Sequence, residues 1–203
     1  MLASKMKNMT ENGFEYVDLG LPSGTMWATC NVGASRHEDS GLLFQFGRVN
    51  GYKYGDNNNQ FKTNDLTTAS GKIYKENEIL DLADDAAYVH MGGKWMMPTN
   101  DQLEELFNNT TYWVETINGV ECMMLTSVIN GNKLFIPFAG LWYNNSFLWT
   151  GFYGYMWSSQ VYVSDVDDAY KLYCGLSGNA YINNLRRSRA FSVRGVFKNN
   201  INT

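Results

Sequence analysis

Apolar and polar positions alternate over two short stretches early in the chain. Met26, Ala28, Cys30 and Val32 interleave with Trp27, Thr29 and Asn31, and Leu42, Phe44 and Phe46 repeat the pattern. Both predict half-buried strands. Ahead of them, Leu21-Pro22-Ser23-Gly24 is a turn signal, because proline presets φ and glycine accepts positive φ. The period then lengthens. Residues 82–90 predict a helix capped by Asp81, with Asp84 and Asp85 in its first turn and Gly92-Gly93 ending it. A second helix opens at Thr99 behind Pro98, where Thr99 and Gln102 have capping-box spacing and Leu103, Leu106 and Phe107 form an apolar stripe. Beyond it the pattern returns to strands. Asn118-Gly119 and Asn130-Gly131 each predict a two-residue hairpin turn, so 112–117, 120–129 and 133–138 make a three-strand meander. Further strands are expected at 154–159, 169–174, 179–183 and 190–197. Two helices set among antiparallel strands predict an α+β domain.

The polar stretch 1–13 reads as a flexible N-terminus, and 14–198 as one domain with its ligand-display region at about 140–190. Residues 51–70 are polar and Asn-rich, a long surface loop. Asp56 and its Asn neighbours lack the spacing and closing Glu of a calcium loop. A net charge of −4 and a pI near 5.2 argue against nucleic-acid binding by a basic surface. No window holds the roughly 18–20 apolar residues of a membrane span, and no signal-peptide core is expected at the start.

Residues 140–162, GLWYNNSFLWTGFYGYMWSSQVY, concentrate nine aromatics with no clean period of two or of 3.6. Rings mixed with Asn, Ser and Gly suit a recognition surface, since aromatics supply contact area at low entropic cost and the polar residues adapt their hydrogen bonds. Candidate ligand contacts are Tyr143, Phe147, Trp149, Phe152, Tyr153, Tyr155, Tyr162, Tyr181 and Arg186, with Asn144, Gln160, Asn179 and Asn183 as polar partners. Trp157 and Phe138 read as core.

Little catalytic chemistry is visible. Cys30, Cys122 and Cys174 are too few and too scattered for a disulfide framework or a CxxC metal site, and read as small buried hydrophobes. His37 and His90 are far apart, and His90 suits the negative pole of a helix end. Asp165, Asp167 and Asp168 form a carboxylate-rich loop with two readings, a weak site for a hard cation or a solvated turn. Arg186, Arg187 and Arg189 have two readings: contacts to a ligand's carboxylates or phosphates, or pairing with those three aspartates. Arg194 reads as structural, bridging to a buried acid or to backbone carbonyls. No catalytic residue, cofactor or metal is expected.

Five segments, EYVDLGLPSGTMWATCNVGA (15–34), DDAAYVHMGGKWMMPTNDQLEEL (84–106), LFIPFAGLWY (134–143), YGYMWSS (153–159) and AFSVRGV (190–196), follow one another in an order that resembles the Fibrobacter succinogenes major paralogous domain family. The resemblance implies a C-type-lectin-like fold of the type shared with formylglycine-generating enzymes, in gut Bacteroidetes or their phages. It implies an extracellular, cell-surface or virion location, and a likeness to variable proteins of diversity-generating retroelements. The copper-binding cysteine pair of the formylglycine-forming relatives is not carried over, because only Cys174 lies in that half. The calcium tripeptides of sugar-binding lectins are also missing. The function expected is non-enzymatic binding of a bacterial or host surface protein or a glycan. The alternative is an assembly module of a phage tail or surface appendage, a homo-oligomer or virion component that uses the aromatic face as its interface.

Overall fold

The computed structural model describes residues 9–54, 66–144 and 146–199. The reading of Asp56, and that of residues 1–8, lie outside the described residues. Strand β1 (Met9–Glu11) folds back on β2 (Phe14–Asp18). The turn is Asn12-Gly13, with φ of 47° and 82°, the paired positive φ of a two-residue hairpin. This hairpin begins inside the stretch expected to be flexible. Trp95 Nε1 anchors it by donating to Glu11 O at 2.9 Å.

The elements that follow are β3 (Thr25–Ala28), β4 (Leu43–Gln45), α1 (Ala86–Met91), α2 (Asn100–Asn108), β5 (Thr110–Ile117), β6 (Val120–Ser127) and β7 (Lys133–Pro137). Then come β8 (Leu141–Tyr143), β9 (Ser146–Leu148), β10 (Tyr153–Val161), β11 (Asp168–Gly175), β12 (Ala180–Arg186), β13 (Ala190–Ser192) and β14 (Val196–Lys198). They build three sheets. One runs β1-β2-β3-β14, the central one β12-β11-β10-β13-β8-β9 with β4 also on β13, and the third is the β5-β6-β7 meander.

Strand makes up 42% of the structure and helix 10%. The fold is β-rich, which corrects the expectation of an α+β domain of the C-type-lectin class. The physical reason is helix length: six and nine residues bury only Ala86, Ala87 and Met91 from α1 and Leu103 and Leu106 from α2. They fill gaps beside the sheets and form no layer of their own.

Local chemistry explains three further differences. Asp81 is not the cap of α1; its carboxylate pairs with Lys72 at 2.8 Å, and 82–84 forms a 3-10 turn. That turn places Asp84 in the interior, where it accepts from Ser70 N, Ser70 Oγ and Tyr74 Oη. Asp85 caps α1 instead, accepting from Tyr88 N at 2.9 Å. The Thr99 and Gln102 capping box of α2 forms as expected. Asn118-Gly119 makes its two-residue turn between β5 and β6, but Asn130-Gly131 does not. There Ser127 Oγ donates to Leu19 O at 2.6 Å, ending β6 early and opening a loop over 128–132.

The expected strand 190–197 is broken at Val193-Arg194-Gly195, where the chain leaves the central sheet for the N-terminal one. Arg194 is fully buried and donates to Asn31 Oδ1 and to the carbonyls of Ala28 and Thr29. Carbonyls and an amide, not an acid, take its charge, and burial pushes its pKa down to about 10. Gly195 has no room for a Cβ, which would stand 2.7 Å from Met91 Sδ.

The central sheet separates two apolar clusters. One surrounds Trp157, Phe191, Trp95 and Phe44, and the other joins Trp27, Leu103, Leu106, Met156 and Leu172 to the inner face of the meander. No described helix is long and apolar enough to cross a membrane.

Candidate functional site

The register of β10, β11 and β12 sets side chains in cross-strand rows. Tyr155, Tyr173 and Tyr181 form one row, and Trp157, Lys171 and Asn183 form the next. Because successive residues of a strand point to opposite faces, Met156, Leu172, Cys174 and Ile182 lie on the other side, packed into the cluster shared with the meander. On the first side, Tyr155 and Trp157 are roofed by Phe191, whose ring stacks on Tyr155 at 4.9 Å and meets Trp157 at 4.2 Å. Toward β12 the roof ends, and a cavity of about 310 Å³ opens over Tyr173, Lys171 and Tyr181. Tyr173 and Tyr181 stack at 4.6 Å.

The far wall is Trp149, 51% exposed. Its φ is 59°, an uncommon value for a bulky side chain and the kind of strain that gathers at functional positions. The amides of Phe152 and Tyr153 both donate to its carbonyl, at 3.0 and 3.1 Å, and hold the turn. Gly140 lies beneath: a Cβ there would collide with Leu148 O, so only glycine lets the 149–151 turn approach.

Two cations line the cavity. Lys171 is 3% exposed, and its Nζ donates to Asn183 Oδ1 at 2.6 Å. The rings of Tyr155, Tyr173 and Tyr181 lie 5.2, 5.4 and 6.0 Å from the ammonium. Burial lowers its pKa to about 8, and no carboxylate is near enough to raise it. The Arg189 guanidinium lies over the Tyr143 ring at 3.2 Å, and its buried Nε has no hydrogen-bond partner. Neither cation takes part in an ion pair among the described residues. Burial also pushes the phenol pKa values of Tyr155 and Tyr173 up, so these hydroxyls are neutral donors at neutral pH.

The structure divides the residues singled out in the sequence. Trp149, Tyr155, Tyr181 and Asn183 line the cavity, and Tyr143 supports it through Arg189. Tyr153 sits behind the wall, 5.9 Å from Trp149 and 5.5 Å from Tyr173, and Phe152, 58% exposed, follows the 149–151 turn without lining the cavity. Tyr155 is only 7% exposed, so its ring contributes a floor and not an outward anchor. Trp142 and Trp157 are core, as is Phe138.

Other residues serve the frame. Phe147 packs between Trp142 and Tyr54, at 4.8 and 4.9 Å. Asn144 takes φ of 50° at the tip of the β8–β9 hairpin. Asn179 closes the β11–β12 turn, its carbonyl accepting from Gly175 N and its Oδ1 from Ser177 Oγ.

Gln160, Tyr162 and Arg186 lie outside this cavity. Gln160 donates to Asn77 Oδ1 at 2.8 Å and accepts from Asn100 N, while Tyr162 rests on Tyr170 at 5.0 Å. Arg186 pairs with Asp165, Asp167 and Asp168 at 3.4, 2.9 and 3.5 Å, which decides the arginine question for that residue in favour of an internal tie. Arg187 is buried and donates to the carbonyls of Val166 and Leu66. Lys171 and Tyr173 also line the cavity although the sequence does not single them out, and Arg189, one of the three arginines with a ligand-contact reading, joins them there. A weak signal existed: in 169–174, Lys171 and Tyr173 share the parity that faces Tyr155, but pairing β11 with β10 is needed to see it.

Described residues line two further cavities. One of about 700 Å³ lies beside α2, between Leu82, Met96 and Phe197. Several of its polar groups are engaged elsewhere: Thr99 and Gln102 cap the helix, and Glu105 accepts from Ser23 N and Oγ. The other, about 240 Å³, borders the half-exposed Cys30; Cys122 and Cys174 are buried thiols. Of these three cavities, among the described residues, the aromatic one combines exposed rings with two cations that lack a counter-charge. Among the described residues no group of three His, Cys, Asp or Glu is placed to hold a metal ion. Comparison with known proteins finds no matching family model, no matching curated protein and no matching solved structure.

Proposed function

We propose that this protein is a non-enzymatic binding protein that receives its ligand on the open face of β10–β12. The observation that carries the reading is the cavity in which Trp149 and Tyr181 stand exposed beside a buried Lys171. Aromatic walls with a few fixed polar groups are the usual make-up of a small-ligand pocket, and about 310 Å³ is at the small end of that range. The walls are preorganised: strained Trp149 is fixed by two backbone hydrogen bonds, and Tyr181 is stacked on Tyr173. Binding therefore orders little that is not ordered already. The segment-by-segment likeness to the Fibrobacter succinogenes major paralogous domain family supports a role at a cell or virion surface. The natural ligand class is a surface glycan, because a cavity of this size admits one sugar unit while a protein partner presses on a broader, flatter patch.

The test is an array carrying bacterial surface glycans and surface proteins, probed with the wild-type chain and with Trp149→Ala and Tyr181→Ala. Both side chains are exposed, so the variants should melt as the wild type does while their signal falls roughly tenfold or more. Unchanged signal in both variants would discard the face. A concentration-dependent oligomer that Phe152→Ala disperses would instead assign the exposed aromatics to assembly.

A further inference from the structure

Lys171 is hard to explain as a structural residue. An ammonium that is 3% exposed has lost its hydration, and its one hydrogen bond is to the neutral amide of Asn183. Desolvated charges are ordinarily paired or replaced by apolar groups. Three tyrosine faces offset part of that cost, since ring quadrupoles attract cations. Arg189 adds a second cation on the same cavity, with Nε buried and unsatisfied. No Asp or Glu lines the space. A pocket with two positive charges and no negative one is completed by an anion brought from outside.

The rest of the lining narrows the kind of anion. Trp149 and Tyr181 offer exposed ring faces, the surfaces against which the C–H face of a pyranose packs. Asn183, whose Oδ1 is taken by Lys171, keeps its Nδ2 to donate, and the Tyr181 hydroxyl can exchange hydrogen bonds with sugar hydroxyls. An Asp or Glu side chain from a peptide is slender and carries no hydroxyls, so it would leave both ring faces and most of the volume unmatched.

Resting on the binding reading above, we infer that the cavity takes an acidic sugar unit of the uronic or sialic type. Its carboxylate is held by Lys171 and Arg189, and its ring lies between Trp149 and Tyr181. Lys171 is then the residue that selects acidic over neutral sugars, while the two exposed rings supply affinity common to both.

Calorimetric titration of the full chain with paired probes tests this. The pairs are methyl β-D-glucuronide against methyl β-D-glucoside, and N-acetylneuraminic acid against its carboxyl-reduced form, with acetyl-glutamate-amide as the peptide control. At least one acid is expected to bind roughly tenfold or more tighter than its neutral partner, the worth of one charge-assisted contact. Lys171→Met should remove that preference while remaining folded by thermal melt, and Lys171→Arg should retain part of it. Trp149→Ala should weaken acidic and neutral probes alike. Equal binding of acid and neutral partner, or a preference that survives Lys171→Met, overturns the inference and leaves the binding face standing. Tighter binding of acetyl-glutamate-amide than of either acid overturns the sugar assignment in favour of an acidic peptide. Absence of binding to every probe overturns it as well. The array result with Trp149→Ala then decides separately whether the face itself survives.

Discussion

The two faces of the β10–β12 ribbon share one backbone but answer to different demands. On the inner face Met156, Leu172 and Cys174 join the apolar cluster shared with the meander and α2. On the outer face Tyr155, Tyr173 and Tyr181 run across the strands, with Lys171 set among them. The inner face needs only volume and apolar surface. The outer face carries a desolvated cation, a tryptophan at positive φ and a guanidinium with a buried unpaired Nε, each of which opposes stability. Charge and strain gathered on one face are the pattern expected when one face serves packing and the other serves a ligand.

Substitutions can break this contrast, and the largest effect belongs to the inner face. Leu172→Ala should cost about 2–5 kcal/mol in urea denaturation, because the side chain is enclosed and the void cannot collapse fully. A cost below about 1 kcal/mol would show that the inner face is not the stabilising one.

Next comes the outer face, with the opposite sign. Lys171→Met should raise stability by about 1–3 kcal/mol, since it removes a buried charge that lacks a counter-ion. The same group gives a pH signature. Lysine in the unfolded chain titrates near 10.5 and burial lowers the folded value to about 8, so the unfolded chain holds more protons between these values. Stability should therefore rise as pH climbs from about 8 to about 10.5, and that gain should vanish in Lys171→Met. Destabilisation by the substitution would make Lys171 structural.

Two smaller effects sharpen the contrast. Tyr181→Ala, 45% exposed, should change stability by less than about 1 kcal/mol, whereas Tyr155→Ala, stacked beneath Phe191, should cost about 3 kcal/mol. Equal costs would erase the distinction between floor and anchor along the tyrosine row. The smallest effect is expected at the Arg186 corner. Asp167→Asn should cost about 0.2–1 kcal/mol and should fade in high salt, because that pair is solvent-exposed.

Much of the local structure was legible in the order of residues. The Thr99 and Gln102 capping box, the Asn118-Gly119 turn and the strands around 154–159 and 169–174 follow from chemistry confined to a few neighbouring positions. Asn12-Gly13 carries the same hairpin signal as Asn118-Gly119, and it is obscured only by the polar residues around it. The aromatic run did hold cavity-lining residues in Trp149 and Tyr155, and Tyr181 further on lines the same cavity. Burial of Trp142 was not legible, because it depends on other segments folding over it, and the sequence alone left the pairing of Arg186 with its aspartates as one of two readings.

What the amino-acid order determined by itself, then, is everything within hydrogen-bonding reach along the chain: caps, tight turns, alternation, and a surplus of rings toward the C-terminus. Only the tertiary structure decided which rings face water and that Lys171 lies among three of them. Those facts rest on strand register, where a shift of one residue would exchange the two faces. Register between these consecutive strands is set by their short connections at 162–167 and 176–179, whereas which face is roofed is decided by Phe191, which comes from outside the ribbon.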